Sequence, residues 1–355
     1  MAAVSLTALT LTIVHSPYVH ALDATTTDWV QADGVHHVYS PASGQQYAYA
    51  PSAVVDSGHT YYYTCHNSSP GLIRDHVFFS QVDVASGTPQ RDFAVLGPGG
   101  GGTWDSTHVC DPTVVAAKTA YRGQTYQYLM FFLGTAQDNT GNQIGLALAN
   151  DLAGPWTKYP APIVANPFEP GMWGVGQPSA TTVNPEAGEV LLFYTAGGPT
   201  TTAWRRHLTL GDLDDPTIGS ALQVTNDGIT GSDGGADVLH NFDVVYDPPR
   251  DRFYAVRELG PYPGGQPSYI SRSLEIDSID GASIWNGRGK WRNEARISPE
   301  TTGFPRNHNP GILRNIYGML PSTTELTVVF TKSRTGGFPD SLWSYDLWRI
   351  TGRLR

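Results

Sequence analysis

Cysteine is nearly absent: Cys65 and Cys110 are the only two in 355 residues. Two thiols cannot by themselves supply a four-ligand zinc site. They could be joined in an exported protein, or Cys110 could be a buried free thiol, because sequence does not give their separation. Charge is scarce as well. Asp, Glu, Lys and Arg make up 15% of the chain against 40% hydrophobic residues, enough to bury a large core. Lys and Arg number 22 and Asp and Glu 32, for a net charge of −10. Such a surface repels polyanions, which argues against nucleic acid and anionic membranes and suits neutral or cationic ligands. No stretch carries a sustained helical period, and none is long and apolar enough to cross a bilayer as a helix. The sequence holds no zinc motif, P-loop, dinucleotide fingerprint, Gly-x-Ser-x-Gly elbow or repeated Ser-x-Asp-x-Gly-x-x-Trp. The glycine run 97–102 lacks a following Lys-Ser/Thr and reads as a connector.

Turn formers and aromatics are plentiful, with 39 Gly, 26 Pro, 18 Tyr, 12 Phe and 9 Trp. That balance belongs to short strands joined by tight turns. The strands are also periodic. Segments starting at Ala50-Pro51-Ser52, Asp111-Pro112-Thr113, Gln177-Pro178-Ser179, Asp243-Val244-Val245 and Asn309-Pro310-Gly311 stand 61, 66, 66 and 66 residues apart. Each is followed by an apolar run, a turn and a second run rich in β-formers. A repeat of this length fits a four-stranded propeller blade, so the expected fold is an all-β, five-bladed β-propeller over residues 22–355. The five starts would ring a central axis, and two of them, Asp111 and Asp243, carry carboxylates. The segment Val35–Tyr39 is expected to pair with blade five and close the ring.

Ahead of the repeats, Val4–Val14 is apolar but too short to span a bilayer, and Val19-His20-Ala21 ends in a small residue suited to cleavage. Residues 1–21 are therefore expected to be a signal peptide and the protein to be secreted, although no Lys or Arg precedes the apolar run.

One repeat carries a family signature. It opens with His108-Val109-Cys110-Asp111-Pro112-Thr113-Val114-Val115. It continues through Tyr128-Leu129-Met130-Phe131-Phe132 and Ile144-Gly145-Leu146-Ala147, and ends with Asp151-Leu152-Ala153-Gly154-Pro155-Trp156-Thr157-Lys158. This resembles the five-bladed β-propeller glycoside hydrolases related to family 43, which include arabinanases, arabinofuranosidases and xylosidases. The resemblance covers blade two well and the other blades mainly by spacing. It implies an Asp base, a second Asp that orients and tunes, and a Glu acid at the centre of the ring. The chain departs from that pattern at Ala50 in blade one and Gln177 in blade three. Its nearest match to a Glu-Gly-Pro motif is Glu258-Leu259-Gly260-Pro261. No cofactor is implied, with an axial ion such as calcium at His308 as an option.

Cleaving a glycosidic bond takes two carboxyl groups on opposite sides of the sugar. Asp111, Asp243 and Glu258 are the catalytic candidates. Asp243 is expected deep and ionised, in the same register as Asp111. Glu258 is expected higher in the funnel, its pKa raised by burial, as the general acid; Glu169 is a weaker acid candidate. Sugar binding is expected from Trp104, Asp105, Trp173, Gln177, His240, Arg257, Arg306, His308 and Asn309, with Tyr262 and Phe304 as further stacking faces. Each has a plainer reading as a turn, salt-bridge or core residue. The expected activity is hydrolysis of a neutral, arabinose- or xylose-containing oligo- or polysaccharide by a monomer. Two alternatives stay open: a glycoside phosphorylase using Arg257, Arg306 and His308 as an anion site, and a sugar-binding propeller without catalysis.

Overall fold

The computed structural model describes residues 27–69, 73–83, 89–137, 140–198, 200–337 and 344–355; the expected signal peptide, residues 1–21, lies outside them. Five antiparallel sheets form the five blades of a propeller. Blade one comprises Ala48–Asp56, His59–His66, His76–Asp83 and Pro89–Leu96. Blade two comprises His108–Tyr121, Gln124–Thr135, Gln143–Ala149 and Thr157–Lys158. Blade three is built on Gly174–Asn184, Glu189–Gly197 and Thr201–Thr209. Blade four comprises His240–Asp247, Arg252–Glu258, Leu274–Asp280 and Arg292–Ile297. Blade five takes Arg306–Ile312, Glu325–Ser333 and Asp346–Leu354 from the C-terminal part of the chain and completes its sheet with Trp29–Gln31 and His36–Tyr39.

The closure joins the two ends of the described chain. Trp29 pairs with Leu354 and Gln31 with Gly352, while His36 pairs with Arg349. The expected strand over Val35–Tyr39 is there, reinforced by Trp29–Gln31. Blade five also reaches sideways: Arg314–Asn315 runs parallel to Val54–Val55 of blade one. Apolar clusters fill the spaces between blades. One joins Leu129, Phe131 and Leu146 of blade two to Val190, Leu192 and Tyr194 of blade three. Another joins Phe193 to Val244 and Phe253. Alternating strand residues thus face neighbouring sheets on both sides, which explains why the inner and second strands read as near-continuous apolar runs.

Every inner strand carries the same irregularity. Ala50, Asp111, Gln177, Asn241 and Asn309 all adopt left-handed backbone, with φ of 50, 45, 52, 38 and 36°. At each of them the ladder to the second strand skips, between Tyr49 and Ser52, Cys110 and Thr113, Gly176 and Ser179, His240 and Asp243, and His308 and Gly311. These are β-bulges. In four blades the next residue is Pro, which has no N–H to lose where the ladder breaks; in blade four it is Phe242. Left-handed backbone in a residue other than glycine costs roughly 1–2 kcal/mol, and such positions gather at functional sites. This corrects the register read from sequence. The fourth ring position is Asn241, and Asp243 sits two residues further along, level with Ser52, Thr113, Ser179 and Gly311. The uniform 66-residue step placed it wrongly because blade four lacks the proline that marks the bulge elsewhere.

Candidate active site

The bulges surround the mouth of an axial funnel lined by Ala50, Asp111, Gln177, Asn241 and Asn309 together with the residues that follow them. All five bulge residues are partly exposed, whereas the prolines, Phe242 and the residues after them are buried. The ring therefore presents one carboxylate, three carboxamides and one methyl group. Gln177 donates to Asn241 Oδ1 and accepts from Thr195 Oγ1 at 2.8 Å, so blades three and four are tied together at this level.

Below the ring, a buried ion pair closes the funnel. Asp243 accepts from Ser179 Oγ and the Ile312 N–H, both at 2.7 Å, and pairs with Arg314. Arg314 is fully buried and also donates to the Ala180 carbonyl at 3.3 Å and to Thr113 Oγ1 at 3.5 Å. Asp243 is thus a floor strut between blades three, four and five. It lines the funnel, but its carboxylate is already bound on both oxygens.

Asp111 is the one charged group of the ring. Burial pushes its carboxyl up to about 6; the positive sides of His108 and His308 and the Gln177 N–H oppose this, and Asp75 adds to it. Behind it stands a disulfide between Cys65 and Cys110, linking the second strand of blade one to the inner strand of blade two. The free-thiol alternative for Cys110 is excluded, and with it a metal site made of the two cysteines and Asp111. The Asp111 N–H donates to Cys65 Sγ at 3.0 Å, so the bridge also holds the bulge.

Three groups missed in the sequence complete this side. Asp75 is fully buried, accepts from the hydroxyls of Tyr47 at 2.5 Å and Tyr49 at 2.7 Å, and faces His108 Nδ1 at 3.5 Å. Tyr49 stands immediately before the blade-one bulge, as His240 and His308 do in blades four and five. That shared offset was the available signal for Tyr49; nothing in the sequence marks Asp75.

Glu258 differs from its expectation. It is fully buried and lies behind His308, with Oε1 bound to His308 Nδ1 and to the Asn309 N–H at 3.0 Å. Burial alone would raise its pKa. The charge and hydrogen bond of His308, the Tyr262 hydroxyl and the Asn309 N–H outweigh burial and lower it. The carboxyl is therefore ionised and orients His308, whose ring stacks on Tyr49 at 6.4 Å and meets Tyr345 at 5.5 Å. With Nδ1 committed to Glu258, His308 has Nε2 as its one remaining atom for an ion or a proton.

The other candidates divide. Asn309 and Gln177 line the funnel. His240 meets the Tyr262 ring at 5.5 Å in a tilted contact and faces Asp237 at 3.5 Å, beside Glu258. Trp173 lies over Gly197 and beside Gly176, one residue from the ring. Glu169 is exposed and outside the funnel lining. Three candidates serve the scaffold. Asp105 is buried and paired with Lys158. Trp104 packs on Phe132 and over Gly134 and Gly145. Arg257 is fully buried between Asp237 at 2.7 Å, Glu275 at 2.6 Å and Asp277 at 2.8 Å. Phe304 borders a second cavity near the rim, while Arg306 is buried and donates to the Pro305 and Gly265 carbonyls.

No protein-family description matches this chain, and no curated protein matches it by sequence. Solved structures do match. An α-L-arabinofuranosidase from Podospora anserina, determined with cellotriose, is similar with a TM-score of 0.60 at 12% identity, over 92% of this chain and 97% of that one. The catalytic domain of a family 62 α-L-arabinofuranosidase from Coprinopsis cinerea is similar at 0.61 and 14%, with the same coverage of 92% and 97%. A family 117 glycoside hydrolase from Zobellia galactanivorans gives 0.56 and 10%, over 92% and 90%. At such identities the likeness is one of fold, and the fold is the five-bladed propeller that the sequence resemblance implied.

Proposed function

We propose that the protein is a glycoside hydrolase acting on an oligo- or polysaccharide in its axial funnel, with Asp111 as the carboxylate at the sugar. The observation that carries this is the placement of Asp111. It is the one charged residue in a ring of strained, partly exposed positions, and its carboxyl titrates near 6, where it is ionised at neutral pH yet basic enough to take a proton. In this reading, water attacks the anomeric carbon and gives its proton to Asp111. The leaving oxygen takes a proton from His308, which Glu258 orients through Nδ1, leaving Nε2 as the donor. The C–O bond to the leaving group breaks as the bond to water forms. The fold shared with arabinofuranosidases supports a pentose-containing glycan as substrate. The disulfide suits an oxidising compartment and so supports export; the working unit is a monomer.

The test is a screen of the purified protein and its Asp111→Asn variant against plant and bacterial polysaccharides, reading released reducing ends. Release by the wild type and a loss of two or more orders of magnitude in the variant is the expected result. Equal release by both would remove Asp111 from the chemistry. A second reading, a sugar-binding propeller without catalysis, is favoured by the uncharged ring positions Ala50, Gln177, Asn241 and Asn309. Oligosaccharide binding without release would establish it. The phosphorylase alternative loses Arg257, whose guanidinium is fully engaged by three carboxylates.

A further inference from the structure

The carboxamides of the ring are not equivalent. Asn241 lines the funnel at the blade-four bulge and is partly exposed there. Its backbone is left-handed, with φ of 38°, a conformation that Asn bears better than most side chains. Phe242, the next residue, is buried in one apolar cluster with Leu191 and Phe193 of blade three, which holds the bulge in place. The Asn241 side chain is held as well, because its Oδ1 accepts from Gln177 Nε2. A carboxamide carries its oxygen and its NH2 on opposite branches of one plane. With Oδ1 turned toward blade three, Nδ2 is turned away from it. Among the described residues Nδ2 has no hydrogen-bond partner, and it is not buried. Asn241 therefore offers the funnel N–H donors.

Gln177 sets that orientation. A carboxamide fits its site either way round until a neighbour chooses. Thr195 Oγ1 lies 2.8 Å from Gln177 Oε1 and 3.2 Å from the Gly176 carbonyl. A hydroxyl has one hydrogen to give, and the nearer acceptor takes it. Gln177 Oε1 is thereby committed to Thr195, so Nε2 faces Asn241 and Asn241 must answer with Oδ1. The bonds run in one direction, from Thr195 to Gln177 to Asn241. Gln177 has a second hold on the site, since its main-chain N–H donates to the Asp111 carboxyl. One residue of blade three thus fixes both the charged group of blade two and the donor group of blade four, its neighbours on either side of the ring.

We infer that Asn241 is a specificity-determining residue: its Nδ2 donates to an oxygen of the sugar held beside Asp111, and Gln177 is its positioning residue. The inference rests on the glycan reading above and narrows it to sugars that bring an acceptor oxygen to this place, so that the matching deoxy sugar is refused. A site built to bond a substrate hydroxyl rejects the analogue without it far more strongly than an apolar pocket rejects added bulk. The reason is desolvation. In the free protein water can serve Nδ2; a deoxy sugar displaces that water and returns nothing to the donor.

The test is turnover of aryl glycosides by the full chain. The probes are 4-nitrophenyl α-L-arabinofuranoside and 4-nitrophenyl β-D-xyloside, with the monodeoxy and monodeoxyfluoro form of each at every free hydroxyl. Intrinsic effects of a replacement are common to all variants and cancel when variants are compared. At one position, the deoxy form should lower kcat/KM at least about tenfold more in the wild type than in Asn241→Ala. Asn241→Asp keeps the shape and the bond from Gln177 but lacks the donor, so it should lose the same discrimination, and it serves if Asn241→Ala fails to fold. Fluorine accepts but cannot donate, so the wild type should turn over the fluoro form at that position faster than the deoxy form. Gln177→Glu puts an acceptor-only carboxylate beside Asn241, which must then turn its NH2 to it and present Oδ1 to the sugar. That variant should still process the parent hydroxyl, which can donate, and should treat the fluoro form no better than the deoxy form. A purely structural tie between the blades would move none of these ratios. The same deoxy penalties in the wild type and Asn241→Ala, or a fluoro-to-hydroxyl ratio unchanged by Gln177→Glu, would overturn the inference and leave the glycan reading standing. So would cleavage of polysaccharides with neither parent glycoside turned over, since the sugar at the ring would then not be what is read. Failure to bind or cleave any saccharide would overturn both.

Discussion

Asp111 should weaken the protein it serves. A carboxyl held at about 6, against an ordinary 3.8, binds its proton more tightly in the folded chain than in the unfolded one. Between those two values the folded state holds the extra proton, so stability falls as pH rises from about 4 to about 6 and is flat above. The full penalty is about 3 kcal/mol at neutral pH and under about 1 kcal/mol at pH 4. Asp111→Asn keeps the shape of the side chain and an oxygen for the Gln177 N–H while removing the charge. We therefore expect the variant to be catalytically inert yet more stable than the wild type, by up to about 3 kcal/mol at pH 7.5. For a domain of this size that corresponds to about 4 °C in Tm. The assay is thermal and denaturant unfolding of both proteins at pH 4 and pH 7.5, with the disulfide intact. A variant that is no more stable at pH 7.5, or whose gain is the same at both pH values, would refute the electrostatic account of Asp111.

Asp75→Asn removes a negative neighbour from Asp111, so the acidic limb of the kcat/KM profile, set by ionisation of Asp111, should move to lower pH; an unmoved limb would reduce Asp75 to a packing role. Replacing both Cys65 and Cys110 by Ser opens a loop of 45 residues and should cost about 4 kcal/mol by loop entropy, read by urea unfolding. Because the Asp111 N–H loses its sulfur acceptor, kcat should fall in that variant even where it is fully folded. Asp243→Asn leaves Arg314 buried without its counter-charge and should cost about 3–5 kcal/mol, and pairing it with Arg314→Met should recover much of that; an inactive Asp243→Asn with unchanged stability would return Asp243 to the chemistry.

The blade repeat was legible because strand and turn composition recur with the period of the fold, and because proline marks four of the five bulges. It failed at Phe242, where the mark is missing and the next residue, Asp243, happened to be acidic. Asp111 was legible as a ring residue for the same reason that Asp243 was misplaced: spacing alone points to both. Glu258 was found by its neighbours Gly260 and Pro261, but its ionisation depends on His308, 50 residues away in sequence and in another blade. Asp105, Trp104 and Arg257 were drawn toward the funnel because polar and aromatic residues near blade starts look alike in sequence. What separates them is the identity of the group across the interface: Lys158, Phe132, or the carboxylates of Asp237, Glu275 and Asp277. Asp75 was invisible because its significance lies wholly in the two tyrosines and the histidine it gathers.

The pairing of Trp29 with Leu354 sets an order of events during synthesis. The strand Trp29–Gln31, which completes blade five, leaves the ribosome before the rest of the propeller and must wait for Asp346–Leu354 before it has a partner. Until then blade five cannot exist, and blades one and four each lack a neighbour. Contacts of such sequence separation form late and slowly. The nascent protein therefore passes through an open arc with an apolar sheet face at each end, a sticky intermediate by construction. A chain halted a few dozen residues short would stay in that state, and its earlier blades, however well made, would be joined to an arc that cannot shut.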